Sequence, residues 1–388
     1  MRFSMRSIAS ISTLIFIFIS SFLLSGLFLR PAPTHAASAP NQTVSKGVLA
    51  PSTTVDSPDA PATVPRGVRR LHPGSGRSTS IQAADSQLAG DAGALLQNFN
   101  GTSSLDSEKT NFGAEFEPPD QGLCVGNGFV VEPVNSAYNI YRTNGTKVAG
   151  PFNVNRLFND GFRQFTSDPR CFYDKTTNTW FATILFIGSN SKFSRVDLSV
   201  NPTGDPTTPW TTYRIDTTDL GGPGCPCFGD QPLLGIDQYN IYISTNEFSI
   251  LGPQFNGAQI YAISKSQLVA LSKSVNIVHF GNLSIGGAVA ASVQPAISFG
   301  KPVAEYFMNS LDPNGTFDNR IGVWALTDRD AVSRGDIPTL SSVVITSERY
   351  GVPPPAQQKG SSSTLDSGDD RMQQVQYIDG NLWGELTT

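Results

Sequence analysis

One element recurs along this chain from residue 120 onward. It is an acidic or amide residue, a short run, a turn, and then an aromatic-rich segment. It reads Asp120-QGLCVGNG-FVVEPV, then Asp168-PRCFYDKTTNT-WFATIL, Asp230-QPLLGIDQY-NIYISTNEF, Gln294-PAISFGKPV-AEYFMNSL and Asp370-RMQQVQYIDGN-LWGEL. A second element accompanies it: Ala137-YNIY, Arg195-VDLS, Ala258-QIYAISKSQL and Arg320-IGVWALTDRDA. Asp168 to Asp230 spans 62 positions and Asp230 to Gln294 spans 64; Val196, Ile260 and Val323 of the second element step by 64 and 63. Two independent elements with one spacing define a repeat. A unit of about 60 residues with three or four strands is a propeller blade, because such a sheet has two apolar faces and only neighbouring copies can bury both.

The texture between these elements agrees. Short runs such as AYNIYRT, TWFATILFI, VNIVHF and RIGVWALT place Val, Ile, Tyr, Trp or Phe on alternate positions, as half-buried strands do. The 36 Gly and 27 Pro favour strands joined by turns. Asn144-Gly145 signals a hairpin. Ser264–Leu271 is the one run suited to a helical turn or two. The fold class expected is therefore all-β: a propeller over residues 93–388, with 4 to 5 blades starting near residues 120, 168, 230, 294 and 370. The last copy ends after two strand-like runs. Either the segment at Leu95–Asn100 completes that blade, or the chain is a piece of a longer propeller; the reading favours an incomplete one.

In such a fold the first strand of each blade lines the axis. Asp120, Asp168, Asp230 and Asp370, with Gln294, are then expected to converge there at the starts of the innermost strands. They are the candidate binding residues, and the four Asp are the candidate catalytic residues. The bland reading of each is an Asp capping a turn through backbone N–H groups.

The N-terminus carries a different signal. Arg2 and Arg6 precede an apolar run at 11–29, and small residues follow, with Thr34 and Ala36 at the −3 and −1 positions of a cleavage site. Residues 1–36 read as a secretory signal peptide, with an uncleaved anchor as the rival. Either way the remainder is exported, secreted or held at the cell surface, with no membrane segment after cleavage. Residues 37–92, rich in Pro, Ser, Thr and Ala, read as a disordered spacer.

Residue counts exclude chemistry. Of three His only His279 falls in the repeat region, within the apolar run VNIVHFGN, so a His-rich metal site and a two-His iron site are excluded. His279 reads as a packed or edge histidine. The net charge of −5 shows no basic surface for nucleic acid. Cys124, Cys171, Cys225 and Cys227, in an exported chain, suggest disulfides. Three pairings exist and the spacing does not choose. Cys225-Pro226-Cys227 reads as too tight to bridge within itself, so its two cysteines either reach Cys124 and Cys171 or stay strained or free beside a Cys124–Cys171 bridge. No metal is expected; the one cation a ring of Asp with Gln294 would suit is Ca²⁺.

The runs EPPDQGLCVGNGFVVEPVNSAYNIY, SDPRCFYDKTTNTWFATI, FGDQPLLGIDQYNIYISTNEF and LDSGDDRMQQVQYIDGNLWG resemble a group of secreted bacterial proteins with propellers related to the sialidase-like superfamily. The resemblance covers residues 95–388 and implies fold and export but no activity. The sialidase Asp-box is half matched, at Thr364–Gly368, and no ordered arginine triad is visible. The sequence thus favours a glycan- or protein-binding module at the cell surface. The alternative is a glycoside-active enzyme using the inner-strand carboxylates.

Overall fold

The computed structural model describes residues 42–52, 95–188, 192–222, 224–252, 254–311 and 317–388. The signal read at 1–36 and most of the spacer read at 37–92 lie outside the described residues. The described chain is all-β and is built as propeller blades, each a meander of antiparallel strands. In chain order β1 (Thr43–Leu49) and helix α1 (Ser104–Thr110) come first. The first blade is β2 (Cys124–Gly126), β3 (Phe129–Val134), β4 (Ala137–Arg142) and β5 (Lys147–Asn153). The second is β6 (Phe165–Asp174), β7 (Thr179–Ile187), β8 (Ser194–Asn201) and β9 (Thr211–Asp216). The third is β10 (Cys227–Ile236), β11 (Asn240–Ser249), β12 (Phe255–Ser264) and, after helix α2 (Lys265–Val269), β13 (Val275–Gly281).

A small hairpin, β14 (Ser284–Ile285) and β15 (Ala288–Val289), leads into the fourth blade. Its inner strand is broken into β16 (Gln294–Pro295) and β17 (Ile297–Ser298); β18 (Glu305–Ser310), β19 (Asp318–Thr327), helix α3 (Ala331–Arg334) and β20 (Thr339–Tyr350) follow. An exposed hairpin, β21 (Ala356–Gln357) with β22 (Thr364–Leu365), precedes a final pair, β23 (Met372–Ile378) and β24 (Asn381–Leu386). Among the described residues there are thus four blades and two strands of a fifth. Inner strands meet in parallel, Ile236 beside Ile297 and Ser298 beside Tyr377, as strands around a common axis do.

Hydrophobic burial lies between blades. Phe129, Val131 and Ile140 pack on Trp180 and Ile184 of the second blade. Phe181, Val196 and Leu198 meet Leu234, Ile241 and Ile263 of the third. Ile260 and Phe280 meet Phe307 and Trp324 of the fourth, and Ile321 meets Met372 and Val375 of the last. This explains the near-continuous apolar runs: TWFATILFI in β7 is buried along its whole length because both faces of its sheet are covered.

Three expectations are corrected. Thr43–Leu49 falls in the presumed disordered spacer but forms β1, paired antiparallel with β13 from Thr43 opposite Gly281 to Leu49 opposite Val275. The outer strand VNIVHFG would otherwise be an open apolar edge; β1 covers it and sends Leu49 into the core. Leu95–Asn100 does not complete the last blade. It lies on the first, with Phe99 against Tyr141 at 5.4 Å and Gln97 Nε2 donating to the Asn144 carbonyl. The cysteines pair Cys124–Cys171 and Cys225–Cys227, so the reading that C-P-C is too tight for an internal bridge was wrong. The chain turns sharply there, and its two Cα atoms stand 4.5 Å apart, within bridging range.

Buried charge fixes one blade against the next. Lys265 Nζ lies 2.9 Å from Asp174 Oδ2 of the preceding blade and 2.5 Å from the Asp237 carbonyl. One repeat later, Arg329 Nη1 lies 2.5 Å from Asp237 Oδ2, again in the preceding blade. Both Asp residues sit where the inner strand turns into the second, and each also accepts backbone N–H groups of its turn. Burial alone would raise the Asp174 carboxyl; hydrogen bonds from Thr176 and Lys265 outweigh it and hold the group below its ordinary value. A second buried cluster lies within the second blade, where Arg195 binds both Asp160 and Asp197 at 2.7 and 2.8 Å.

Removing one partner of such a pair strands the other in a dry interior. Lys265→Ala is expected to cost about 3–5 kcal/mol in denaturant unfolding, and the isosteric double change Asp174→Asn with Lys265→Met to recover most of it. Replacing Cys124 and Cys171 by Ser opens a bridge of sequence separation 47. It should cost about 4 kcal/mol in the same measurement through the added freedom of the unfolded chain.

Candidate functional site

At the axis, near the starts of the inner strands, Asp120, Asp168, Arg170, Asp230, Gln231 and Arg371 line a polar cavity of about 210 Å³. Three blades and the two-stranded fifth supply them. Asp168 and Asp230 sit within β6 and β10, not at their starts. Each occupies a bulge: pairing with the next strand shifts between Ser167 and Arg170, and between Asp230 and Leu233. Bulges bend a strand and re-aim its side chains, which carries these carboxyls off the sheet alternation and toward the axis. The chain passes through the left-handed region at Asp168 and Gln231 within the bulges (φ 58° and 49°) and at Asp120 in the loop before β2 (φ 41°). Asp tolerates this better than most residues because its short side chain bonds locally.

Hydrogen bonds hold the geometry. Asn135, wholly buried at the turn between β3 and β4, donates through Nδ2 to Asp120 Oδ2 at 2.7 Å and to the Pro118 carbonyl at 2.8 Å. Its Oδ1 accepts the Asp168 backbone N–H at 2.9 Å. One amide therefore fixes carboxyl-bearing residues of two adjacent blades. Asp168 Oδ1 accepts from the Ser167 hydroxyl at 2.8 Å, and Oδ2 accepts the Gln231 N–H at 3.1 Å. Arg371 donates to the Gln231 side-chain oxygen and, through Nε, to Asp369 Oδ1 at 2.7 Å. Inner strands approach closely here: a Cβ on Gly122 would stand 2.9 Å from the Pro169 carbonyl oxygen.

Electrostatics follow from this crowding. Burial, then the Asp168 charge, then a hydrogen bond shared with the Asp168 carboxyl push Asp120 up to about 7, against Asn135 and Arg170. Burial and then the Asp168 charge push Asp230 up to about 7, against Arg371 and the Gln231 N–H. Asp120 and Asp230 are therefore each partly protonated near neutral pH. The site can donate a proton and accept one. Its carboxyl oxygens could also hold an oxygen-preferring cation, but Arg170 and Arg371 in the same cavity oppose one.

Of the residues singled out from sequence, the structure brings Asp120, Asp168 and Asp230 together. Asp370 is buried at 1 % exposure beside the cavity, and its neighbour Arg371 enters instead. Both residues precede β23, in the bend that leads into it, and there the guanidinium faces the cavity while the carboxyl is buried. Gln294 is buried, its Nε2 bonded to the Pro295 carbonyl at 3.0 Å, and does not line the cavity. Asn135, Arg170, Gln231 and Arg371 were missed. Their signal was proximity, at one or two positions from the repeating Asp in three cases. His279 stacks on Tyr261 at 4.5 Å and bonds Gln259, far in role from any axial chemistry.

No protein-family model matches the chain, and no curated protein does. Among solved structures the chain is similar to an endo-arabinanase of glycoside hydrolase family 43 from Bacillus licheniformis, at 12% identity and a TM-score of 0.33, over 68% of this chain and 96% of that one. It is similar to the Bacillus subtilis arabinanase Arb43A at 12% identity and 0.32, over 69% and 88%. It is also similar to an exo-β-1,3-galactanase from Phanerochaete chrysosporium at 10% identity and 0.32, over 60% of this chain; it spans about half, 52%, of that enzyme's length. Likeness of this degree leaves the chemistry to be read from the residues.

A carboxyl whose value is raised on folding binds more protons folded than unfolded, so stability falls as pH rises between its unfolded and folded values. Asp120 and Asp230 therefore weaken the fold progressively between about 4 and about 7. Melting temperature should decline over that window, and Asp230→Asn should flatten the decline and raise stability at pH 7. A slope untouched by this substitution would remove the axial carboxyls as its source.

Proposed function

We propose that this protein is a glycoside hydrolase whose proton chemistry resides in Asp230 and in the pair Asp120–Asp168. The observation that carries the reading is the convergence of three inner-strand carboxyls and two guanidinium groups on one small polar cavity. Cleaving a glycosidic bond requires a proton for the leaving oxygen and a carboxylate to activate water or to attack the sugar. Asp230, raised to about 7, is the acid. In the Asp120–Asp168 pair, Asp168 is held by the Ser167 hydroxyl and the Gln231 N–H and serves as the base. Arg170 and Arg371 offer planar donors to sugar hydroxyls or a sugar carboxylate. The cavity is smaller than the ~300–1,000 Å³ of sites for drug-sized ligands, which suits a terminal sugar unit over a buried chain.

A binding module, the reading favoured by sequence, does not need carboxyls raised toward neutrality. The raised Asp120 and Asp230, gathered with Asp168 on one cavity, move the reading to catalysis. Among the described residues two arginines line the cavity, so the three-arginine arrangement of sialidases is not the pattern offered here.

Purified protein tested on aryl glycosides and a polysaccharide panel should release sugar. Asp230→Asn should lower the rate about 10²–10⁴-fold. The wild-type rate should fall roughly tenfold per pH unit above about 7, as the acid loses its proton. Binding without turnover across the panel, or undiminished turnover in Asp230→Asn, would return the protein to the class of binding modules.

A further inference from the structure

On the third blade, away from the axial carboxyls, Cys225-Pro226-Cys227 closes a disulfide across a sequence separation of 2. So short a loop constrains the unfolded chain far less than the bridge of separation 47 between Cys124 and Cys171, so stability does not account for it. Its surroundings are unlike those of a structural bridge. Asn256 Nδ2 points at both sulfurs, at 2.9 Å from Cys227 Sγ and 3.6 Å from Cys225 Sγ. An amide N–H gains little from a neutral disulfide sulfur and much from a thiolate. A carboxyl oxygen of Glu247 and the two sulfurs all lie within 4.8 Å of one another.

Glu247 is buried at 2 % exposure, and among the described residues no Lys or Arg forms an ion pair with it; it accepts from Gln259 Nε2 at 2.7 Å. Burial, then the charge of Asp219, pushes its carboxyl up to about 8, so it holds a proton at neutral pH. Gln259 passes the contact on to His279, whose Nε2 meets Gln259 Oε1 at 2.7 Å; burial lowers this imidazole to about 4, which keeps it neutral. Cys227 is fully buried whereas Cys225 is half-buried, so an incoming group meets Cys225 first. Leu220 and Leu251, both largely exposed, offer apolar contacts in the two loops on either side.

We propose that Cys225–Cys227 is a thiol–disulfide exchange site that accepts electrons from dithiols, with Asn256 and Glu247 stabilising the departing sulfur. A substrate thiolate attacks Cys225 Sγ and bonds to it. The Cys225–Cys227 bond breaks, and its electron pair leaves on Cys227 Sγ, which takes the N–H of Asn256 and then the proton of Glu247. The substrate's second thiolate attacks its own sulfur in the mixed disulfide, and the pair leaves on Cys225 Sγ. The substrate dithiol is oxidised to a disulfide and the protein bridge is reduced to two thiols; of the two substrate protons, one protonates Cys225 and the other restores Glu247. The chemistry is that of a cysteine-pair peptide; dithiothreitol is the probe.

The whole protein is treated with limiting dithiothreitol, quenched with iodoacetamide at intervals, and mapped cysteine by cysteine by mass spectrometry. Cys225 and Cys227 are expected to be labelled at least tenfold faster than Cys124 and Cys171. In Cys227→Ser, oxidised glutathione should cap Cys225. Asn256→Ala and Glu247→Gln should each slow reduction of the bridge by about tenfold, since leaving-group stabilisation sets the exchange rate. Should Glu247→Gln misfold, Asn256→Asp, which places an anion by the sulfurs, carries the same expectation. Equal labelling of both bridges, or folded variants that reduce at the wild-type rate, overturns the proposal. Asp230→Asn should leave these rates unchanged, so the exchange site and the axial site fail or stand separately.

Discussion

The third and fourth blades of this protein are each tied to the preceding blade by a cation that cannot be buried alone. Lys265 reaches back to Asp174 and Arg329 to Asp237, all four nearly inaccessible to water. Apolar packing between sheets is forgiving: leucine slides past isoleucine at small cost. A buried ammonium or guanidinium does not slide, because any register that separates it from its carboxylate leaves a desolvated charge. Asp237 takes part in both ties, accepting Lys265 on its carbonyl and Arg329 on its carboxylate. The second, third and fourth blades thus form one chain of contacts. The first blade uses a neutral version, Asn127 Nδ2 donating to the Gly204 carbonyl at 3.0 Å.

The axial site depends on that registration. Its carboxyls belong to different blades, and no single sheet could bring them together. Asn135 spans two of them and Gln231 relays a third contact to Arg371 of the last strands, so a shift of one blade would open the hydrogen-bond circuit at several points. Crowding three acids at an axis costs stability at neutral pH, since raised carboxyls disfavour the folded state. Layers of apolar contact between blades offset that cost. The protein is therefore strained electrostatically where it is polar and supported where it is dry, a division expected when a site is imposed on a scaffold.

Much of the fold was legible because the propeller repeats its own grammar. An aromatic strand after a turn, recurring at 62 and 64 positions through the middle blades, identifies a blade without any contact being known. The same periodicity contained the ties: 63 positions separate Asp174 from Asp237 and 64 separate Lys265 from Arg329. One tie uses Lys and the other Arg, so the two do not stand out in the sequence as one recurring feature. β1 was not legible, since TVSKGVL sits in a stretch whose composition reads as disordered; it becomes a strand only because β13 presents an open edge. Tertiary demand overrode local texture there.

The choice of Arg371 over Asp370 shows where sequence reading stops for a site. Convergence of inner strands is a property of the topology, so the repeat alone selects the right region. Which of two consecutive residues faces the axis depends on bulges, and a bulge has no dependable signature in one sequence. In β6 and β10 the bulges fall at the recurring Asp and turn it inward. In β23 the pairing shifts instead between Met372 and Gln374, past the recurring Asp370, which stays buried while the adjacent guanidinium faces the cavity. The effect on chemistry is large. A fourth carboxyl would have made a ring of anions suited to a cation, whereas a cation in that place leaves three acids opposed by two guanidinium groups. That balance leaves Asp120 and Asp230 raised to about 7, where each can give or take a proton near neutral pH.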